Sequence, residues 1–228
     1  MMQLDRKLLN QEADRKLFHL AWAIYPLLYY FGYPRDGMIL LTLAAMAIWA
    51  AVEAARKLGH NWVSEGLMRE HERKGMVIGA FFQITSFFLA VLLFDKPAAV
   101  LAMMFCCVGD SVTGVAGALL YGILGTGKTL IRDYSPVRLP LHPASIIKDL
   151  RFALWHRKSP ALMAVMFFAC VATGLAVYPA AALTLIVAGA AGAVVADGFA
   201  WRFFGRTVND DLSITLAAGG AMSLLALM

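Results

Sequence analysis

The sequence predicts an all-α fold, a polytopic integral membrane protein of about seven transmembrane helices with its N-terminus in the cytoplasm and its C-terminus outside. Three observations predict it. Of the 228 residues, 61% are hydrophobic and only 15% charged, against about 45–50% apolar in soluble domains. The apolar residues gather in runs near the roughly 20 residues that a hydrocarbon core of about 30 Å asks of a helix. The basic residues between those runs fall almost wholly on alternate sides.

The runs are 18–33, 37–55, 75–94, 97–121, 160–178, 179–201 and 212–228. They are too long, and too rich in Ala, Leu and Met, to be strands. The first and last are short, and Tyr178-Pro179 marks a tight turn between the fifth and sixth. Before the first run, Asp5, Glu12 and Asp14 interrupt the basic residues, and no small-residue cleavage site follows it, so it does not read as a signal peptide. Cys106, Cys107 and Cys170 all lie inside runs and read as reduced packing residues, with neither a disulfide framework nor metal spacing. The expected organisation is a single membrane domain, 1–228, with cytoplasmic loops 56–74 and 122–158.

With the N-terminus inside, segments 1–17, 56–74, 122–158 and 202–211 hold 18 of the 20 Lys and Arg residues, and only Arg35 and Lys96 lie outside. Cytoplasmic loops carry such an excess. The formal net charge of +5 therefore reflects topology, and no nucleic-acid partner is expected. The same threading sorts the acids. Glu53, Asp197, Asp210 and Asp211 come at cytoplasmic ends of spans, and Asp110 lies deeper, in the inner half of the fourth. Charge inside a membrane costs at least about 2.5–3.5 kcal/mol at a helix centre and marks function by default. Acids converging on one leaflet, facing loops loaded with Lys and Arg, point to a polyanion site with a divalent cation. Acids near helix ends also snorkel or pair with loop arginines, a reading that fits Glu53 as well and Asp110 poorly.

Around Asp110 the chain reads V-G-D-S-V-T-G-V-A-G, in which Gly109, Gly114 and Gly117 bare one helix stripe to a neighbouring helix or a ligand. At the first membrane entry, R-K-L-F-H places Arg15 and His19 four residues apart on one helix face.

These motifs, in this order, resemble the CTP-dependent lipid-alcohol kinases: dolichol kinase, phytol kinase and the CTP-dependent diacylglycerol kinase. Arg15, Lys16 and His19 match R-K-x-x-H of that family. Glu53 with Arg56 resembles its acid-to-Arg pair, and R-E-H-E-R-K-G before the third run, with Gly79 inside that run, is similar to the family's stretch there. Gly109, Asp110 and Gly117 match G-D-x-x-A-x-x-x-G, with Thr113 in place of Ala. Lys158 and Ser159 match K-[ST]-x-E-G without its Glu-Gly. Asp197, then N-D-D-L-S-I-T, resembles a late acid followed by D-D-N-L-T-I-P, with Asp210 matched and Asp211 in place of Asn.

The resemblance implies a Mg²⁺-dependent transfer of the γ-phosphate of CTP to the hydroxyl of a membrane lipid alcohol, such as a polyprenol, a phytol-like isoprenoid or diacylglycerol. Asp110, Arg15, Lys16 and His19 would be catalytic. Gly109, Gly114, Gly117, Lys158, Ser159, Glu53 and Arg56 would line the nucleotide. Asp110, Asp197, Asp210 and Asp211 would hold the ion, and His19 or Asp211 would accept the proton. The expected site faces the cytoplasm, from the plasma membrane of a prokaryote or an endoplasmic-reticulum-type membrane of a eukaryote. Two rivals stand beside it: a cytidylyltransferase acting on a lipid phosphate, and a small transporter with ion-coupled acids. A transporter should show inverted repeats and midplane sites, and the sequence displays neither.

G-I-L-G-T-G-K-T at 122–129 satisfies the phosphate-loop pattern through Gly122, Gly127, Lys128 and Thr129. Its context argues against that reading. A phosphate loop follows a strand and opens a helix. Here a membrane run precedes the glycines, and three prolines follow before residue 144. Lys128 is therefore expected in a solvated basic loop. Farther on, Ile146, Ile147, Leu150 and Leu154 recur at helical spacing among Lys148, Arg151, Arg157 and Lys158, which predicts a helix over 144–158 lying in the interface.

Overall fold

The computed structural model describes residues 6–60, 62–63, 68, 77–124, 143–155, 157–179, 182–199, 201–203 and 206–227. In chain order the elements are α1 (Arg6–Ala21), α2 (Ile24–Tyr30), α3 (Arg35–Lys57), α4 (Gly79–Leu93), α5 (Lys96–Met104), a π-helical turn (Phe105–Gly109), α6 (Asp110–Leu124), α7 (Pro143–Trp155), α8 (Pro160–Val177), α9 (Leu183–Gly198) and α10 (Asp210–Ala226). The described structure is thus helical, apart from a two-residue antiparallel pair, β1 (Arg202–Phe203) and β2 (Arg206–Thr207), just before α10.

Among the described residues, three stretches are long and apolar enough to cross a membrane: Arg35–Lys57, Lys96–Leu120 and Pro160–Val177. Gly79–Leu93 and Leu183–Gly198 are apolar but shorter. The stretch from Lys96 is the axis of the bundle, since 78% of its apolar window is buried against 17% and 22% for the other two. Val100, Leu101, Met103, Phe105, Cys106 and Cys107 are enclosed there, with α2, α4, α8, α9 and α10 packed around α5 and α1 against α6. Outer helices turn Leu40, Ile48 and Phe168 outward, a distribution that suits an apolar solvent rather than water.

The close helix contacts follow from small residues. On α9, a Cβ added at Gly192 would lie 2.5 Å from the Ala217 carbonyl oxygen of α10, so only glycine permits that approach. Both chain reversals after α2 and α3 close with a glycine in the left-handed region. At Gly59 (φ 93°) the amide of His60 bonds Ala55 O and that of Gly59 bonds Arg56 O, a complete Schellman motif. Gly32 (φ 107°) repeats it, with Tyr33 N on Leu28 O and Gly32 N on Tyr29 O.

The run 18–33, expected as one span, is two helices with a turn at Trp22-Ala23. Pro26 has no N–H to offer the Trp22 carbonyl, which instead accepts from Tyr25 N at 3.1 Å. Helix α1 itself starts well before residue 18 and carries Arg15, Lys16 and His19 into the bundle on helical backbone. Within the run 179–201 the described helix is α9, Leu183–Gly198.

Arg35 bonds the last carbonyls of α4, Nε to Val91 O at 3.0 Å and Nη2 to Leu92 O at 2.7 Å. The Lys96 ammonium lies 5.4 Å from the centre of the Tyr29 ring. The two basic residues that the threading left outside therefore come to one end of the bundle. The helix expected over 144–158 appears in part, as α7, which ends at Trp155 and leaves Arg157 and Lys158 outside it. It packs against β1, buries Asp149 and Ala153, and exposes Ile146, Ile147, Leu150 and Leu154.

Candidate functional site

The site assembles where α1 crosses the start of α6. Lys16 Nζ closes on Asp110 Oδ2, and both side chains are almost fully buried. Ser111 Oγ donates to the Lys16 carbonyl at 3.3 Å, so the pair rests on a second link between the same helices. Just before Asp110 the helix widens into its π turn, a distortion frequent at functional sites. The Cys106 carbonyl in that turn lies 3.1 Å from His19 Nε2. A carbonyl only accepts, so Nε2 carries the proton of that bond. The same nitrogen is 3.5 Å from Asp110 Oδ2, and Nδ1 is 3.7 Å from Asp211 Oδ1. His19 thus stands between two carboxylates from different helices.

A second pair forms at the ends of α8 and α9. Lys158 N donates to the Gly198 carbonyl at 2.7 Å, which brings its side chain to Asp197, Nζ to Oδ1 at 2.5 Å. Burial pulls the Lys158 ammonium toward neutrality. The carboxylates of Asp197, Asp210 and Asp110 outweigh that and hold its pKa above the ordinary lysine value. Asp110 in turn feels Lys16, His19, Lys158 and Arg15. The two pairs are therefore one electrostatic unit.

Helix starts supply the rest. Ser159 caps α8, its Oγ accepting from Leu162 N at 3.4 Å, with Pro160 opening the helix. Asn209 caps α10, Oδ1 accepting from Asp211 N at 2.9 Å, which sets Asp210 and Asp211 in the first turn where the helix dipole favours acids.

Of the residues expected in the site, Arg15, Lys16, His19, Asp110, Lys158, Asp197, Asp210 and Asp211 come together. Glu53 is buried near the end of α3 and paired on its own helix with Arg56, Nη2 to Oε1 at 2.6 Å and Nε to Oε2 at 3.1 Å. Ser159 acts as a cap. Gly109 and Gly117 face α8: a Cβ at Gly109 would sit 2.7 Å from Cys170 Sγ, and one at Gly117 would sit 3.7 Å from Leu162 Cδ1. That part of the stripe serves helix packing. Gly114 is half-buried. Helix α6 runs through Gly122 to Leu124, and Gly127, Lys128 and Thr129 lie outside the described residues.

Sequence reasoning missed Gln83, Cys106 and Trp49. Gln83 of α4 reaches His19 Nε2 at 3.4 Å, and its presence in a nearly unbroken apolar run was the available signal. Cys106 Sγ lies 3.9 Å from His19 Nε2 and donates to the Asp211 carbonyl at 3.6 Å. No spacing rule reveals that, because the contacts cross three elements. Trp49 lines a small cavity, about 50 Å³, together with Arg15, Phe18, His19, Val63, Ile78, Gly79, Ala80, Gln83 and Asp211.

The donor set can be tested for a divalent ion. Asp110 and Asp197 already hold ammonium groups, so a bare cation would have to displace a lysine from each. Arriving with a polyphosphate, it meets a different situation, since each lysine can move to phosphate oxygens and release its carboxylate. Mg²⁺ takes one or two carboxylates plus phosphate oxygens and water. Such a donor set would suit Mg²⁺ only if the ion arrived together with a polyphosphate.

An uncharacterized protein of Rickettsia prowazekii (strain Madrid E) is 25% identical over 133 residues, which cover 54% of this chain and 64% of that protein. The match thus spans less than two thirds of that relative's length. No protein-family model matches the chain, and no solved structure matches it.

Proposed function

We propose that the chain is a membrane-embedded kinase that transfers the γ-phosphate of CTP to the hydroxyl of a lipid alcohol at the cytoplasmic face. The supporting topology is about seven spans, N-terminus inside and C-terminus outside, with the 18-to-2 division of basic residues as its basis. One observation carries the chemistry: two buried lysine–aspartate pairs from separate parts of the chain, Lys16 with Asp110 and Lys158 with Asp197, lie within each other's field. A triphosphate is the kind of ligand such a cluster can take up by exchanging partners.

The triphosphate meets Arg15, Lys16 and Lys158. When bound, Mg²⁺ would be held by Asp110 with Asp197 or Asp210 and would neutralise charge on the phosphate oxygens. The alcohol oxygen attacks the γ-phosphorus in line, the bond to the β,γ-bridging oxygen breaks, and CDP leaves. The hydroxyl proton passes to His19 or Asp211. Transfer of this kind depends on positioning and charge neutralisation, which a rigid cluster of fixed charges provides. CTP and the lipid class come from the resemblance of motifs.

The test incubates purified protein with CTP labelled at the α- or the γ-phosphate, in parallel with ATP, and a panel of lipid alcohols and lipid phosphates. Label moving from the γ position to an alcohol supports the kinase. Label moving from the α position to a lipid phosphate, with pyrophosphate released, would identify a cytidylyltransferase instead.

A further inference from the structure

The cavity beside His19 has a divided lining. Phe18, Trp49, Val63, Ile78 and Ala80 are apolar, whereas Arg15, His19, Gln83 and Asp211 are polar. None of Lys16, Asp110, Lys158 or Asp197 belongs to it. His19 is the joint between this cavity and the paired charges. Its Nε2, occupied by the Cys106 carbonyl, lies toward Asp110, and its Nδ1 lies toward Asp211, the carboxylate that shares the cavity wall. In the neutral ring that carries its proton on Nε2, Nδ1 is an acceptor. The 3.7 Å between Nδ1 and Asp211 Oδ1 is too long for a hydrogen bond, and a hydroxyl beside both atoms can donate to either.

The walls also have a direction. Phe18 meets Trp22 and Trp49 with ring centroids 6.0 and 6.3 Å apart, and these rings form one aromatic wall between α1 and α3. Next to Phe18 on α1, Leu17 is exposed. An apolar chain leaving the cavity along this wall stays on apolar surface.

We propose that this cavity receives the hydroxyl end of the acceptor alcohol. This rests on the kinase reading. A cavity of about 50 Å³ accommodates about three to five water-sized groups, each needing roughly 10–15 Å³ by the same measure. A hydroxymethyl group and the next carbon fit. The alcohol therefore approaches His19 from the Asp211 side and the triphosphate from the Asp110 side. Transfer forms the bond from the alcohol oxygen to the γ-phosphorus, breaks the γ-phosphorus bond to the bridging oxygen of the nucleoside triphosphate, and leaves the proton on His19 or Asp211.

The experiment photolabels the full chain in lipid nanodiscs with hexadecanol carrying a diazirine beside its hydroxyl-bearing carbon, maps the label by mass spectrometry, and measures CTP binding separately by equilibrium dialysis. Label concentrated at Phe18, Trp49 and Ile78, and competed by unlabelled hexadecanol, is the expected result. Ala80→Phe, which fills the cavity, should reduce that label about tenfold, in line with overfilling a packed site, with CTP binding retained. The competition on the unaltered protein needs no variant and decides the matter if Ala80→Phe misfolds. Label no denser than at outward-facing Leu40 and Phe168, or label that unlabelled hexadecanol does not compete, overturns the proposal. Selective cavity label without phosphate transfer from CTP would sustain the cavity assignment and reject the kinase. Transfer from CTP without cavity label would do the reverse.

Discussion

The ammonium of Lys16 and the carboxylate of Asp110, 94 residues apart in sequence, meet inside the bundle with each residue only 4% exposed. Removing one member of such a pair leaves an uncompensated buried charge, at a cost of about 3–5 kcal/mol. Asp110→Asn should therefore abolish phosphate transfer and also lower the unfolding midpoint. The double variant Lys16→Met/Asp110→Asn should recover much of the midpoint and none of the activity. Near-normal turnover of Asp110→Asn at saturating Mg²⁺ would remove Asp110 from the chemistry.

Ion binding should depend on nucleotide. With Asp110 and Asp197 already paired to lysines, Mn²⁺ used as a paramagnetic stand-in for Mg²⁺ should show no specific binding to the protein alone and clear binding once CTP is added. Tight binding without nucleotide would mean that the acids are a preformed cation site. The lysine-exchange argument would then be wrong.

Much of this was legible in the sequence because intramembrane charge is rare and each instance stands out. Asp110 and Asp197 were found that way, Lys158 came from the resemblance of its Lys-Ser pair to the kinase motif, and helix spacing alone put Arg15 and His19 on one face. What the sequence hid was partnership. Nothing in R-K-S-P says that Lys158 pairs with Asp197, a contact 39 residues long fixed by one backbone bond to Gly198. Nor does a glycine stripe announce whether a helix or a ligand will fill it, and at Gly109 the occupants are Met166 and Cys170. The break at Trp22-Ala23 was missed because hydropathy averages over Pro26, whereas the backbone responds to its missing N–H.

Orientation can be checked on described residues. Cys106, Cys107 and Cys170 are all buried and should resist maleimides, so single added cysteines report alone. Asp36→Cys, exposed in the first turn of α3 beside Arg35, should label from outside intact cells. Lys57→Cys, at the other end of the same helix with its lysine side chain 58% exposed, should label only after permeabilisation. Reversed accessibility would place the charged cluster on the outer face and remove CTP as a donor.

The pH dependence of Lys158 has a definite sign. A lysine whose folded pKa is raised contributes stability that is complete below the unfolded value, about 10.4, and is lost as pH rises through the folded one. The shift at Lys158 is upward. The stability difference between the wild type and Lys158→Met should accordingly stay constant from neutral to mildly alkaline pH and shrink only at strongly alkaline pH. A difference that fades near neutrality would mean that desolvation, rather than Asp197, governs this ammonium.

The final prediction ranks two lysines. If G-I-L-G-T-G-K-T were a phosphate loop, Lys128 would contact the β- and γ-phosphates and Lys128→Ala would be nearly inactive. The context opposes this, since α6 continues through Gly122, where a phosphate loop would have already left its strand and begun its turn. A lysine in a solvated loop is screened over a Debye length of about 8 Å at physiological ionic strength, and its loss should matter little. Lys158 is different, being drawn against Asp197 and within the fields of Asp210 and Asp110. Lys128→Ala should keep most of its transfer activity, and Lys158→Ala should lose most of its own. Because Lys158→Ala also strands Asp197, the comparison includes Lys158→Ala/Asp197→Asn. That variant should regain thermal stability and remain inactive. If it regains activity along with stability, Lys158 is only a structural partner of Asp197. If Lys128→Ala proves the more damaging change in equally folded proteins, the nucleotide sits at the glycine-rich loop and the paired lysines serve the fold alone.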